Sequence, residues 1–192
     1  MKNILKIHLA GISIILLILL IGRFVSSSSK QLILIYVSSF GFLALLSIMF
    51  VLSIPVLVKL KKNNFTVSLL VSRRWIGIYT FVFALIHVFL VFNFLFNWDI
   101  NKIIQNPNRL FFGLGTISFL ILAVMSATSN DKSVRILGKN WKRLHYLIYV
   151  VLVLIVIHSF NIGKIFMKNV VFQIIIGLMI VLIIIAKIKY RK

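Results

Sequence analysis

Three histidines, His87, His145 and His158, lie within long apolar stretches that hold almost no other ionisable residue. A titratable side chain at membrane depth is costly and marks a functional site by default. Imidazole is also the side chain that can hold a haem iron on its axis while remaining neutral. Two plainer readings compete: a histidine hydrogen-bonded to a neighbouring helix, and a proton relay. Relays usually include Asp or Glu, and the two acidic residues of the chain, Asp99 and Asp131, both fall outside the apolar stretches. Three such histidines, two of them on one predicted helix, favour haem ligation over either. His8, near the start of the first stretch, reads as an interfacial side chain.

The elements that must position these residues follow from composition. The chain of 192 residues is 61% hydrophobic and 12% charged, more apolar surface than a soluble domain of this size can hide. A helix needs about 20 mostly apolar residues to cross ~30 Å of hydrocarbon. Six such stretches are predicted, over residues 4–25, 32–60, 74–96, 110–128, 141–160 and 166–187. The expected fold is therefore all-α, an integral membrane six-helix bundle forming a single transmembrane domain over 1–192. The second stretch is long enough to tilt, or to bend and end at Pro55, which lacks an N–H. The first follows Lys2 and Lys6 as a signal peptide would. It is too long for that, and residues 26–29 are not a small-x-small cleavage site, so it reads as a retained helix.

The net charge of +20 arises from 22 Lys and Arg against two Asp. Sixteen of the basic residues fall on one side of the predicted membrane: Lys2 and Lys6; Lys59, Lys61, Lys62, Arg73 and Arg74; Lys132, Arg135, Lys139, Lys142 and Arg143; Lys187, Lys189, Arg191 and Lys192. Arg23, Lys30, Lys102, Arg109, Lys164 and Lys168 fall on the other. The positive-inside rule then makes both termini cytoplasmic. This localises the chain to a cell membrane, the inner or plasma membrane of a bacterial-type cell, as a multi-pass protein whose basic face grips anionic lipid. No soluble module interleaves basic and aromatic residues, so nucleic acid is not an expected partner. With no cysteine, disulfides, iron–sulfur clusters and thiolate metal sites are excluded. The longest loops are predicted over 61–73, 97–109 and 129–140; Asn106-Pro107 signals a turn, and Gly138 a restart before the fifth helix.

Within the fifth predicted helix, His145 and His158 are thirteen residues apart, ~20 Å along the axis and about 140° around it. They cannot grip one iron and lie near opposite membrane faces. Taking Leu85 and Val151 as the midpoints of the third and fifth helices, His87 differs in depth from His158 by ~8 Å and from His145 by ~12 Å. The preferred construction is one haem between helices 3 and 5, with His87 and His158 as axial ligands. His145 then needs water, a supporting role or a rearranged pairing. Arg73 and Arg74 open the third predicted helix. They read first as topological anchors, and second as a clamp for a haem propionate or a flavin phosphate. Trp75, Trp98 and Trp141 mark the interfaces. Gly77, Gly113, Gly115 and Gly177 either admit a macrocycle or let helices approach, and close packing is favoured.

Two motifs carry a resemblance. Residues 73–87, Arg-Arg-Trp-Ile-Gly-Ile-Tyr-Thr-Phe-Val-Phe-Ala-Leu-Ile-His, resemble the third helix of the ferric-reductase-like transmembrane family. Residues 137–149, Leu-Gly-Lys-Asn-Trp-Lys-Arg-Leu-His-Tyr-Leu-Ile-Tyr, followed by His158, resemble its fifth. Ala127-Thr128-Ser129 is similar to the end of its fourth helix, and Pro55 sits where its second often breaks. The resemblance covers about 55–160 and is closest to the MsrQ-type branch, the haem-binding membrane subunit of the protein-methionine-sulfoxide reductase system. It implies a b-type cytochrome with haem b at His87, His145 and His158. Arg73 and Arg74 become contacts for a flavin such as FMN, or for a quinone, near the inner face.

Two-haem relatives carry a second histidine on helix 3 about where Arg73 or Arg74 stands, so the resemblance favours the MsrQ-like branch. The flavin and nicotinamide domains that oxidases and ferric reductases fuse to the bundle are missing from this sequence. Electrons are thus expected from a separate cytoplasmic flavin reductase or from quinol. Their expected destination is a separate extracytoplasmic reductase carrying a molybdenum cofactor, in methionine sulfoxide repair. The chain is then an electron-transfer subunit rather than a complete enzyme, and no catalytic residue is assigned to it. Residues 105–109, Gln-Asn-Pro-Asn-Arg, depart from the family, which usually shows a basic residue directly before the proline. Two alternatives stand beside this reading: a stand-alone transmembrane ferric or quinone-linked reductase, and a haem-free transporter or membrane scaffold.

Overall fold

In a computed structural model, the backbone of residues 2–190 and the side chains of residues 4–190 are described. The Lys2 side chain, Arg191 and Lys192, counted above on the richer basic face, lie outside the described residues. Six helices are long and apolar enough to cross a membrane, and no strand occurs among the described residues.

The first two spans are α1 (Lys2–Val25) and α2 (Ser29–Leu60). The serine run between them supplies the cap of α2, the Ser28 side chain accepting from the Gln31 N–H. Helix α2 is the axis of the bundle. It touches α1, α3, α8 and α9, and Phe40, Leu45, Ile48, Met49 and Leu52 on it are almost wholly buried. Pro55 does not end it. The helix runs through the proline to Leu60, and the Lys61 N–H still donates to the Leu57 carbonyl. The ring costs one hydrogen bond to Val51, which neighbouring helices make tolerable in a membrane span.

Helix α3 (Asn64–Leu90) begins ten residues earlier than predicted. The Asn63 side chain accepts from the Thr66 N–H while the Thr66 hydroxyl accepts from the Asn63 N–H, a reciprocal capping box. The predicted loop 61–73 thus shrinks to a tight turn. Arg73 and Arg74 lie about two and a half turns inside the helix, and their expected position at its start is corrected. Past Leu90 the chain widens into a π-helical turn, Val91–Phe96, and stops at Asn97 and Trp98, both with positive φ.

A short α4 (Ile100–Ile104) and a turn in which the Arg109 N–H donates to the Asn106 carbonyl lead into α5 (Arg109–Ala127). Helix α6 (Asp131–Leu137) is capped by Asn130 and ends at Gly138, whose φ of 49° suits glycine. The predicted fifth helix is two pieces, α7 (Lys139–Tyr146) and α8 (Ile148–Ile162). At Leu147 the backbone tightens, its N–H reaching the Leu144 carbonyl one residue short of α-helical register. The last span, α9 (Val170–Lys189), starts four residues later than predicted, because Asn169 caps it and Met167 folds into the core.

Candidate functional site

The chemistry-bearing side chains fall at two levels. At the first, His87 on α3 and His158 on α8 are neighbours, with ring centroids 6.4 Å apart and planes at 84°. Each ring is held from behind. His87 Nδ1 lies 2.8 Å from the Val37 carbonyl on α2, and His158 Nδ1 lies 2.8 Å from the Phe111 carbonyl on α5. A carbonyl only accepts, so each Nδ1 carries the proton and donates it. Each Nε2 is left with a bare lone pair and makes no hydrogen bond among the described residues. That is the tautomer a metal-ligating histidine needs, with the second ring nitrogen fixed by a carbonyl.

The spacing can be tested against an iron held on its axis. With metal–nitrogen bonds of about 2.0–2.1 Å and ring nitrogens about 1.1–1.2 Å from their ring centres, two axial imidazoles have centroids about 6.3 Å apart. The observed 6.4 Å fits one metal between them. Near-perpendicular planes are compatible with axial ligation, since each imidazole can turn about its own metal–nitrogen bond. Among the described residues no cluster of three or more His, Asp or Glu exists. The pair offers two nitrogen donors, and a haem would bring the remaining ligands of its own iron. His87 and His158 fit such a group.

His145 does not join this pair. It sits on α7, at the end of the bundle that carries the basic residues, with its ring stacked on Trp141 at 3.9 Å. Its Nδ1 donates to the Trp141 carbonyl at 3.1 Å, and its Nε2 lies 3.3 Å from the Ser129 hydroxyl. Trp141 also donates from its indole to the Thr128 carbonyl at 2.9 Å, tying α7 to the end of α5. It is thus more than an interface marker, a role that sequence reasoning missed. The i, i+4 spacing of Trp141 and His145 was the available signal.

His145 lines a cavity of about 600 Å³ together with Arg73, Arg74, Trp141, Ser129 and Tyr149. This falls in the range of small-molecule sites. The two arginines differ. Arg74 is engaged by Asp131 at 2.7 Å, an exposed ion pair linking α3 to the start of α6. Arg73 is half-buried and its guanidinium makes no hydrogen bond or ion pair among the described residues. Gly77, one turn further along α3, also faces this space, and a Cβ built there meets nothing within 4 Å.

The glycines separate in the same way. Gly113 and Gly177 likewise have open space around a built Cβ, whereas Gly115 lies against the His158 ring. Gly41 lies against the His87 ring in the same manner, and sequence reasoning did not single it out. His8 is not a free interfacial group. Its Nδ1 is 3.1 Å from the Tyr79 hydroxyl, and its ring meets Trp75 edge-on, joining α1 to α3.

Comparison with known proteins bears on the same helices. Residues 38–156 match the sequence profile of the family described as ferric reductase like transmembrane component. A relative from Agrobacterium fabrum, described as protein-methionine-sulfoxide reductase heme-binding subunit MsrQ, is 33% identical over 111 residues. The alignment takes in 56% of this chain and 50% of the relative, so the chain spans about half the length of the curated protein it matches. The matched region runs from α2 to α8 and contains His87 and His145, with His158 two residues beyond its end.

Proposed function

The chain belongs to the ferric reductase like transmembrane component family as a multi-pass membrane protein, and from that premise we propose that it is a b-type cytochrome subunit. In this reading it carries electrons across the membrane to a separate extracytoplasmic reductase, in the manner of the haem-binding subunit of a methionine-sulfoxide repair system. The observation that carries the reading is the pair His87 and His158: rings 6.4 Å apart, each Nδ1 tied to a carbonyl, each Nε2 bare. His87 and His158 would hold haem b, which would supply one-electron chemistry when bound. The chain's residues would ligate the iron, and the carbonyls of Val37 and Phe111 fix the tautomer of each histidine.

The cavity at the basic end is the proposed entry for electrons. Positive-inside reasoning makes this end cytoplasmic. Arg73 offers a guanidinium to an anionic group, such as the phosphate of FMN delivered by a flavin reductase, and Trp141 and His145 offer a stacked aromatic wall. A quinol is the other donor that this mixed polar and aromatic space suits. His145 serves at this level as a donor-side residue and not as a ligand of the haem between α3 and α8.

Spectroscopy of the detergent-extracted protein tests the proposal. Expression with ample haem should give a Soret band and a low-spin reduced spectrum. His87→Ala and His158→Ala should each abolish or convert that spectrum, while His145→Ala keeps it. Wild-type protein without a Soret band refutes the cytochrome reading. Loss of the low-spin signal in His145→Ala with retention in His158→Ala refutes the pairing.

A further inference from the structure

The two neighbouring histidines are seated by the same local device on two different helices. His87 donates to Val37, and the residue four further along α2 is Gly41; His158 donates to Phe111, and the residue four further along α5 is Gly115. In an α-helix the carbonyl of residue i points at the N–H of residue i+4. A side chain that shares this carbonyl must come in beside the Cα of that i+4 residue. A Cβ there would stand in its way, and glycine has none.

The interference is severe at both places. A Cβ at Gly41 would lie 2.8 Å from His87 Nδ1 and 2.9 Å from its Cε1. At Gly115 it would lie 2.5 Å from both Nδ1 and Cε1 of His158. Ordinary contact is 3.4–4 Å, so either ring would have to withdraw and lose its carbonyl.

We propose that Gly41 and Gly115 are positioning residues, a matched pair of imidazole seats that set the tautomer and the plane of His87 and His158. The role rests on the haem reading for its consequence, but the seats themselves are a property of the protein. With a haem present, donation from Nδ1 to a carbonyl makes the imidazole a more basic ligand and favours the ferric state. The backbone of α2 and α5 also dictates the 84° between the rings.

A double-mutant cycle in the full chain tests the seats without any haem. An alanine in mid-helix ordinarily favours the helix over glycine. Gly41→Ala should nevertheless lower the thermal midpoint of the detergent-solubilised protein, and the loss should vanish when His87 is already alanine. Gly115→Ala should behave likewise against His158→Ala. Gly113→Ala, with open space around it, is the control and should leave the midpoint unchanged or raised. If Gly41→Ala does not accumulate, recovery of the Gly41→Ala/His87→Ala double variant supports the seat and its failure overturns it. Equal destabilisation in both backgrounds also overturns it, since the glycine would then serve only helix contact.

In haem-loaded protein the single variants should raise the midpoint potential and shift the low-spin electron paramagnetic resonance signal, whereas Gly113→Ala should not. Unchanged potential and signal in both seat variants would overturn the ligand-tuning role. Absence of haem from the wild type would count against the cytochrome proposal, leaving the cycle to decide on the seats.

Discussion

Replacing Arg73 and Arg74 separately by glutamine tests how the basic-end cavity recognises a donor, because the two guanidiniums are in opposite situations. Arg74 is committed to Asp131, in a pair whose side chains are 37% and 82% exposed. Exposed pairs of this kind contribute about 0.2–1 kcal/mol, so Arg74→Gln should cost the fold little. Arg73 is half-buried, faces the cavity and makes no hydrogen bond or ion pair among the described residues. A hydrogen bond from a charged donor to a ligand phosphate is worth about 1.5–3 kcal/mol. At 1.36 kcal/mol per decade, Arg73→Gln should weaken FMN binding by roughly 10- to 150-fold. Arg74→Gln should change it by less than about 5-fold, mostly through the long-range field. The assay is fluorescence titration of FMN into detergent-solubilised protein at two ionic strengths. The loss in Arg73→Gln should persist at the higher salt, as a buried contact does. An equal or greater loss in Arg74→Gln would refute the assignment of the clamp to Arg73. If FMN does not bind the wild type but a short-chain quinol does, and Arg73→Gln leaves that unaffected, the anion-recognition argument fails altogether.

Other outcomes follow from the same geometry. Asn63→Ala removes one half of the capping box that starts α3. It should destabilise by about 0.5–2 kcal/mol, visible as a lower thermal midpoint with the haem spectrum intact below it. Ile48→Ala deletes a fully buried side chain on the central helix. Because lipid is as apolar as the core, lost packing rather than transfer sets the cost; it should fall in the lower part of the 2–5 kcal/mol range known for such truncations. Trp141→Leu removes both the ring stacked on His145 and the indole bond to Thr128. Donor-dependent reduction should slow while the low-spin spectrum stays unchanged, and a lost spectrum would show that His145 serves the haem directly.

Much of the architecture is written in local sequence. Six spans follow from apolar length alone, since the bilayer sets one dimension that every helix must meet. Their ends were less legible where capping overrides hydropathy. The Asn63–Thr66 box starts α3 well before the apolar run, and Asn169 delays α9, because the orphan N–H groups of a helix end take whatever cap lies nearby. The break at Leu147 has no composition signal, as neither glycine nor proline marks it.

The histidines divide along the same line. Sequence places three imidazoles within predicted spans, and helical spacing forbids His145 and His158 from meeting at one point: thirteen residues of a rigid rod cannot be folded back. Only the tertiary structure decided what holds each ring. The carbonyls of Val37 and Phe111, 50 and 47 residues from the histidines they hold, and the bare Cα atoms of Gly41 and Gly115 come from other helices of the bundle. Packing also separates Arg74, ion-paired with Asp131, from Arg73, which makes no ion pair among the described residues, although the two are adjacent in sequence and look alike there. A side chain's type fixes what it can donate or accept. What reaches it is set by helix packing, in which residues far apart in the chain share one small volume.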